Sequence, residues 1–551
     1  MKLWFIAWLA TFTLAAAKEI PSVEEAIPPC VKALQAPTHT EFPQGIKMAV
    51  TAKNDHVQAE VLEGLNHLHS GWEFEASRHF AVAMREDPDC LLATWGMVMS
   101  LLAPSPETNP ARDAAAERLL YLVDEGKGNE LERGYAYGMI KYLREGSKEA
   151  ANAFYKVAER FPNDLQAAIF SSLFGRGGYD DFDEATPDQK NSEKILEGLI
   201  AKNPENPIPL HALLLIRAEA PDLTDSLPLA RKLCQLKPGY APYYHLLGHY
   251  EWRCGHHAQA ASAFGKASSL YSQWMKDNKV SVADAPQWVR SECYRIVALA
   301  SKGDFDTAYA AAKQLAATSS PADRMQSAGV HMLYWEAKTL PARLLMRRGL
   351  PGTTAEALQS LPKPDDLKKI TDKSLAFWWI DGLRIYLDAK RLLEAEQLQQ
   401  AMQTAAVLAQ HGSRMSKMQE ASNHTGERSE WTKSLHALEI LATELKGRDA
   451  LAGPESAHGS AFNWFRSATD LQKPAAMLFP PAILSPMANR LGNYYLALNE
   501  PKKAIESFQE ALKDFPNDSD SLQGLQRAYK ADGNTVEAQK TDDLIQSLKS
   551  E

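Results

Sequence analysis

The chain has 551 residues, 45% of them hydrophobic and 23% charged, with a formal net charge of −9. That balance excludes a disordered or collagen-like chain, and the acidic sign gives no sequence-wide reason to expect a nucleic-acid partner. The length exceeds one simple core, so it holds several domains or one extended repeat array.

Met1–Ala17 reads as an export signal. Lys2 supplies the positive start, Leu3 to Leu14 an apolar run, and Ala15-Ala16-Ala17 the small residues of a cleavage site after Ala17. The run is shorter than the roughly 20 residues that span a bilayer. The expectation is therefore an exported protein, periplasmic or secreted, with no transmembrane segment in the mature chain. Residues 18–50 carry no clear pattern and form an N-terminal extension. Over 51–270 a set of fixed offsets recurs. Gly64, Ala76, Phe80, Ala83 and Pro88 are matched by Gly138, Ala150, Phe154 and Pro162, and then by Gly248, Gly255, Ala260, Phe264 and Ala267. Residues 271–447 keep the pattern in degenerate form, as in Gly303 with Ala308 and Trp378 with Gly382. Residues 448–485 read as a Pro-containing connector. The offsets return over 486–551 as Gly492, Ala504, Phe508, Ala511 and Pro516, closed by a polar capping helix. Residues 172–190 read as a long loop. No alternating strand pattern persists.

Small residues let two antiparallel helices approach, Phe fills the space between pairs, and Pro ends the second helix. This pattern resembles the tetratricopeptide repeat, a helix–turn–helix of 34 residues. The resemblance implies an all-α, right-handed superhelical solenoid. Three blocks are further similar to a group of exported bacterial tetratricopeptide proteins of mostly unassigned function. They are Phe74–Phe80 with Asp87-Pro-Asp-Cys90 and Trp95-Gly96, then His245-Leu-Leu-Gly-His249-Tyr-Glu-Trp-Arg253-Cys-Gly255, then Phe479-Pro480-Pro481 ahead of Pro486. The chain departs from that group at Arg290 and Cys293, where a second paired-histidine segment is usual, and at Phe479 and Ile483.

The phosphate-loop, zinc-protease, nucleophile-elbow, dinucleotide and EF-hand motifs are all missing, which weighs against an enzyme. The repeat resemblance implies that the first helix of each unit lines a concave groove. By that rule His211, His245, His249, Trp252, Arg253, Arg290 and Trp379 face the groove, a polar surface for a protein or peptide whose carboxylate the arginines would meet. Trp379 also fits an aromatic core with Phe377, Trp378 and Tyr386. His245 and His249 stand one helical turn apart, which fits either histidines packed between helices with no ligand or two imidazoles sharing a metal such as zinc, with Cys293 or His211 as third ligand. No resident cofactor is otherwise implied. The leading reading is an exported, non-enzymatic scaffold that binds a protein or peptide partner in its groove. The alternative is a metal-binding protein or metal-dependent enzyme centred on His245 and His249. His256 and His257 are expected at an exposed turn, and Arg343, Arg347 and Arg348 on a solvated face or paired with nearby acids. Five cysteines leave at least one without an intrachain partner, and Cys234 with Cys254 could bridge neighbouring helices.

Overall fold

The computed structural model describes residues 20–180, 182–350, 352–367, 370, 373–421, 428–472 and 481–550. The expected signal segment Met1–Ala17 and residues Phe479 and Pro480 lie outside the described residues. Among the described residues the regular structure is helical, apart from an isolated bridge between Tyr179 and Ala185. No described helix is long and apolar enough to cross a membrane.

The repeat offsets turn into one recurring contact. A Cβ placed on Gly64, Gly138, Gly248 or Gly492 would stand 2.6 or 2.7 Å from the ring of Phe80, Phe154, Phe264 or Phe508 respectively. Only glycine allows the first helix of each pair to lie this close to the phenylalanine of the second. Phe80 and Phe508 also press on the glycine of the following helix, Gly96 and Gly524. The four rings are fully buried. Truncating such a ring to alanine costs about 3–5 kcal/mol. Helix starts are fixed locally: Asn54, Asn129, Asp164, Thr186, Asn206, Ser327 and Asp518 each accept a backbone N–H of the first turn. The fold is a solenoid of tetratricopeptide repeats.

Three segments differ from expectation. Residues 172–190 are helical at both ends, in Leu165–Gly175 and Pro187–Lys202, so the loop is confined to 176–186. The helix after His256 continues to Asn278, longer than a standard unit needs. Residues 448–485 carry the helix Ala461–Leu471 rather than connector alone.

The solenoid also folds back on itself. Near its start, Arg78 pairs with Glu75 at 2.7 Å and reaches Asn278 at 3.0 Å, while Tyr243 donates to Ser70 at 2.9 Å. Near its end, His257 donates to the Pro516 carbonyl at 3.0 Å and Asn517 to that of Gly255 at 3.2 Å. His257 is therefore buried under the last repeats instead of exposed. Arg343 and Arg347 likewise form no solvated face. Both are buried, Arg343 on Glu336 at 2.6 Å and Arg347 on Asp518 at 2.6 Å. Removing one partner of such a pair strands a charge, at about 3–5 kcal/mol. All five cysteines are free thiols, Cys234 and Cys254 included.

Candidate functional site

Folding back encloses a cavity of about 750 Å³ on the inner side of the solenoid. Its walls come from distant parts of the chain. The turn after helix Asp55–His69 and the start of helix Glu73–Glu86 supply one side. Helix Pro207–Arg217, helix Pro286–Lys302 and helix Ala328–Trp335 supply His211, Arg290 and His331. Glu430, at the start of helix Arg428–Ala452, closes the far side.

The polar lining is partly self-satisfied. Glu430 lies 3.6 Å from Arg290 and 2.9 Å from His331. Asp284 and Glu107 share Arg324, which pairs with them at 2.5 and 2.6 Å. His211 donates to the His69 carbonyl at 2.8 Å, and burial pulls its pKa down to about 4, so it is neutral. Glu73 is different. Its side chain is solvent-accessible where it meets the cavity, yet the protein packed around it raises its pKa by desolvation, against the pull of its own backbone N–H and the charge of Arg290. With Arg290 held by Glu430, the wall charges left without an ion pair among the described residues are the Glu73 carboxylate and the Arg176 guanidinium.

Of the residues singled out in the sequence, His211 and Arg290 line this cavity. Arg253 donates to the Ala220 carbonyl at 2.8 Å. Trp252 is not a groove residue. It packs in the core against Phe515 and donates to Ser301 at 3.1 Å, because the last repeats cover what an open groove would expose. Trp379 is 1% exposed, within the core. Glu73, His331 and Glu430 were missed; nothing local marks them, since their meeting depends on closure of the array.

His245 and His249 do meet, Nε2 to Nε2 at 3.1 Å. Their protons can be traced. Ser291 donates to the Gln287 carbonyl at 2.7 Å, so it accepts from His245 Nδ1 at 2.8 Å. His245 Nε2 is then an acceptor, and His249 Nε2–H donates to it. Burial, followed by the charge of Arg290, brings His245 to about 3; burial, then His245, holds His249 well below the histidine range. Cys293 does not join them. It is a fully buried core residue whose thiol burial pushes well above its usual value. Among the described residues, neither imidazole shares in a cluster of three potential metal ligands.

No family model matches the chain. No curated protein matches it either. Solved structures with some likeness include the human IFIT1 dimer with PPP-AAAA, at 12% identity and TM-score 0.32, covering 91% of this chain and 92% of that one. The Cut9-Hcn1 hetero-tetramer gives 13% and 0.28, over 86% and 96%. The P58(IPK) TPR domain gives 14% and 0.20, over 87% and 99%. Overlap this loose carries no argument about the site. The fold rests on the recurring glycine–phenylalanine contacts of the chain itself.

Proposed function

We propose that the protein is an exported scaffold that binds a partner protein by receiving a chain segment with a basic group into the inner cavity, against Glu73. Export rests on the sequence pattern of Met1–Ala17. A tetratricopeptide solenoid presents a long curved surface suited to protein partners. The observation that carries the reading is the Glu73 carboxyl at the wall of a 750 Å³ cavity, an acid with no ion pair among the described residues, where Arg290 is held by Glu430 and Arg324 by Asp284 and Glu107. A carboxylate in a partly desolvated cavity gains from a cation that brings its own hydrogen bonds. The pairing of Arg290 with Glu430 turns the expected preference around: a lysine, arginine or amino terminus suits the cavity better than a carboxylate. The same charge, with a net −9 overall, disfavours nucleic acid.

The test is calorimetric titration of short extended peptides that contain one lysine, against their acetyl-lysine counterparts. The lysine peptides bind the wild type, and Glu73→Gln weakens them about 10- to 100-fold, the worth of a charge-assisted hydrogen bond. Equal binding of both peptide sets, or an unaffected Glu73→Gln variant, would refute the reading.

A further inference from the structure

A second group of titratable side chains lies outside the cavity, where the N-terminal extension crosses the first helix pair. Glu60, Glu63 and His67 project from helix Asp55–His69, and His79 from helix Glu73–Glu86. All four are buried. One ligand atom from each of Glu63, His67 and His79 lies within 4.8 Å of the others.

We propose that Glu63, His67 and His79 form a binding site for one divalent transition-metal ion of the zinc class, with Glu60 and Tyr240 holding the two imidazoles in their ligating orientation. The first argument is the state of the two rings. His67 Nε2 and His79 Nε2 are both buried with no hydrogen-bond partner. The rings stack at 5.4 Å and 15°, and His67 Nε2 is 3.7 Å from Glu63 Oε1, beyond hydrogen-bond reach. Buried polar atoms are rarely left this way without a ligand. The second argument is what holds the other nitrogens. His79 Nδ1 donates to Glu60 at 2.8 Å, and His67 Nδ1 is 3.0 Å from the Tyr240 hydroxyl. The Glu60 carboxylate can only accept, so His79 Nε2 is an oriented lone pair, and the Tyr240 hydroxyl can accept from His67 Nδ1 in the tautomer that frees His67 Nε2, the usual arrangement behind a metal-bound imidazole.

The donor set fits the metal class. Two neutral imidazoles and one carboxylate suit zinc and its neighbours, not calcium or magnesium. At bond lengths of about 2.0–2.1 Å, tetrahedral ligand atoms stand roughly 3.3 Å apart. The present spacings, 3.7 Å between His67 and Glu63 and within 4.8 Å to His79, close to that value by side-chain movement alone. Glu60 is a holding group rather than a ligand, because His39 at 2.8 Å and His79 occupy its two oxygens. The Thr40 N–H donates to Glu63 and Phe42 packs edge-on against His67 at 5.2 Å. A bound ion would therefore tie the extension to the first repeat. This site is independent of the cavity and of Glu73.

The experiment uses the full chain without an affinity tag, stripped of metal and then dialysed against zinc chloride. The expected result is about one zinc per chain by elemental analysis, and a tetrahedral visible spectrum when cobalt replaces zinc. His67→Gln and His79→Gln lose at least about tenfold in zinc affinity, while the His245→Gln/His249→Gln double variant retains it. Should either ligand variant unfold, Glu60→Gln keeps the packing and still weakens zinc about 10- to 100-fold. Less than about 0.1 zinc per folded wild-type chain would overturn the proposal. So would undiminished zinc in the folded ligand variants or in Glu60→Gln, or a loss confined to the His245/His249 variant.

Discussion

Two pairs of histidines are wired in opposite ways: His245 and His249 lie one turn apart on helix Ala241–Arg253, whereas His67 and His79 face each other from helices Asp55–His69 and Glu73–Glu86. At His245 and His249 every traced proton has a destination: His249 to His245, His245 to Ser291, Ser291 to Gln287. At His67 and His79 the Nδ1 atoms are engaged and the Nε2 atoms are buried without partners. The first arrangement is complete as a hydrogen-bonded core. The second is complete only with something placed between its lone pairs. The proximity of two imidazoles does not separate these cases, because it is common to both pairs. Where the second nitrogen of each ring goes decides between them.

The largest effect expected belongs to the buried histidines His69, His211, His245 and His257. A histidine held below its unfolded-state value binds fewer protons folded than unfolded. Its stability is full above pH about 6.5 and is lost as pH falls toward the folded values. Those are about 4 for His69, His211 and His257 and about 3 for His245, all driven by burial. Each costs about 1.4 kcal/mol per pH unit within that window. Urea unfolding at pH 7.5 and pH 5 should differ by several kcal/mol, and equal midpoints would show that these rings are not buried neutral. Zinc separates the pairs: at free zinc 100 times its Kd, the folded state gains about 2.7 kcal/mol. That gain should raise the midpoint at pH 7.5 in the His245→Gln/His249→Gln variant as it does in the wild type.

A comparable loss, about 2–4 kcal/mol, is expected for His249→Ala. It opens a space beside Phe264 and Tyr294, whose rings lie 5.2 and 4.2 Å from that imidazole, and strands His245 Nε2. Thermal unfolding of the variant measures it. A loss below about 0.5 kcal/mol, the level of an ordinary surface substitution, would mean that the pair is not the closed network described.

The fold was legible because its signals are local. Gly64 with Phe80 and Gly492 with Phe508 are each one repeat's internal contact, so the spacing writes the contact directly. The helix starting at Ala241 and the meeting of His245 with His249 were readable for the same reason. The cavity was not. Glu73, Arg290 and Glu430 converge only because the array curls shut, and no periodicity records curvature. Trp252 shows the converse error: its position is concave in an open solenoid, but Phe515 of the returning repeats covers it. The His67–His79 cluster left one usable trace, Glu63 and His67 one turn apart. Its other half depends on the extension and on Tyr240, far along the chain.

The finest test of the contrast exchanges the groups behind each pair. Ser291→Ala removes the acceptor of His245 Nδ1–H and the donor to Gln287, in a part-buried setting. The His245 N–H is then left unsatisfied, or the ring takes the other tautomer and meets His249 proton to proton. Either outcome costs about 1–2 kcal/mol, read as a lower urea midpoint. Zinc content should not move, because nothing at Ser291 touches the first repeat. Glu60→Gln has the reverse profile: His79 keeps a hydrogen-bonded neighbour, so stability without metal changes little, while zinc affinity falls. A Ser291→Ala variant that lost zinc, or a Glu60→Gln variant that lost stability alone, would mean the roles of the two clusters are exchanged.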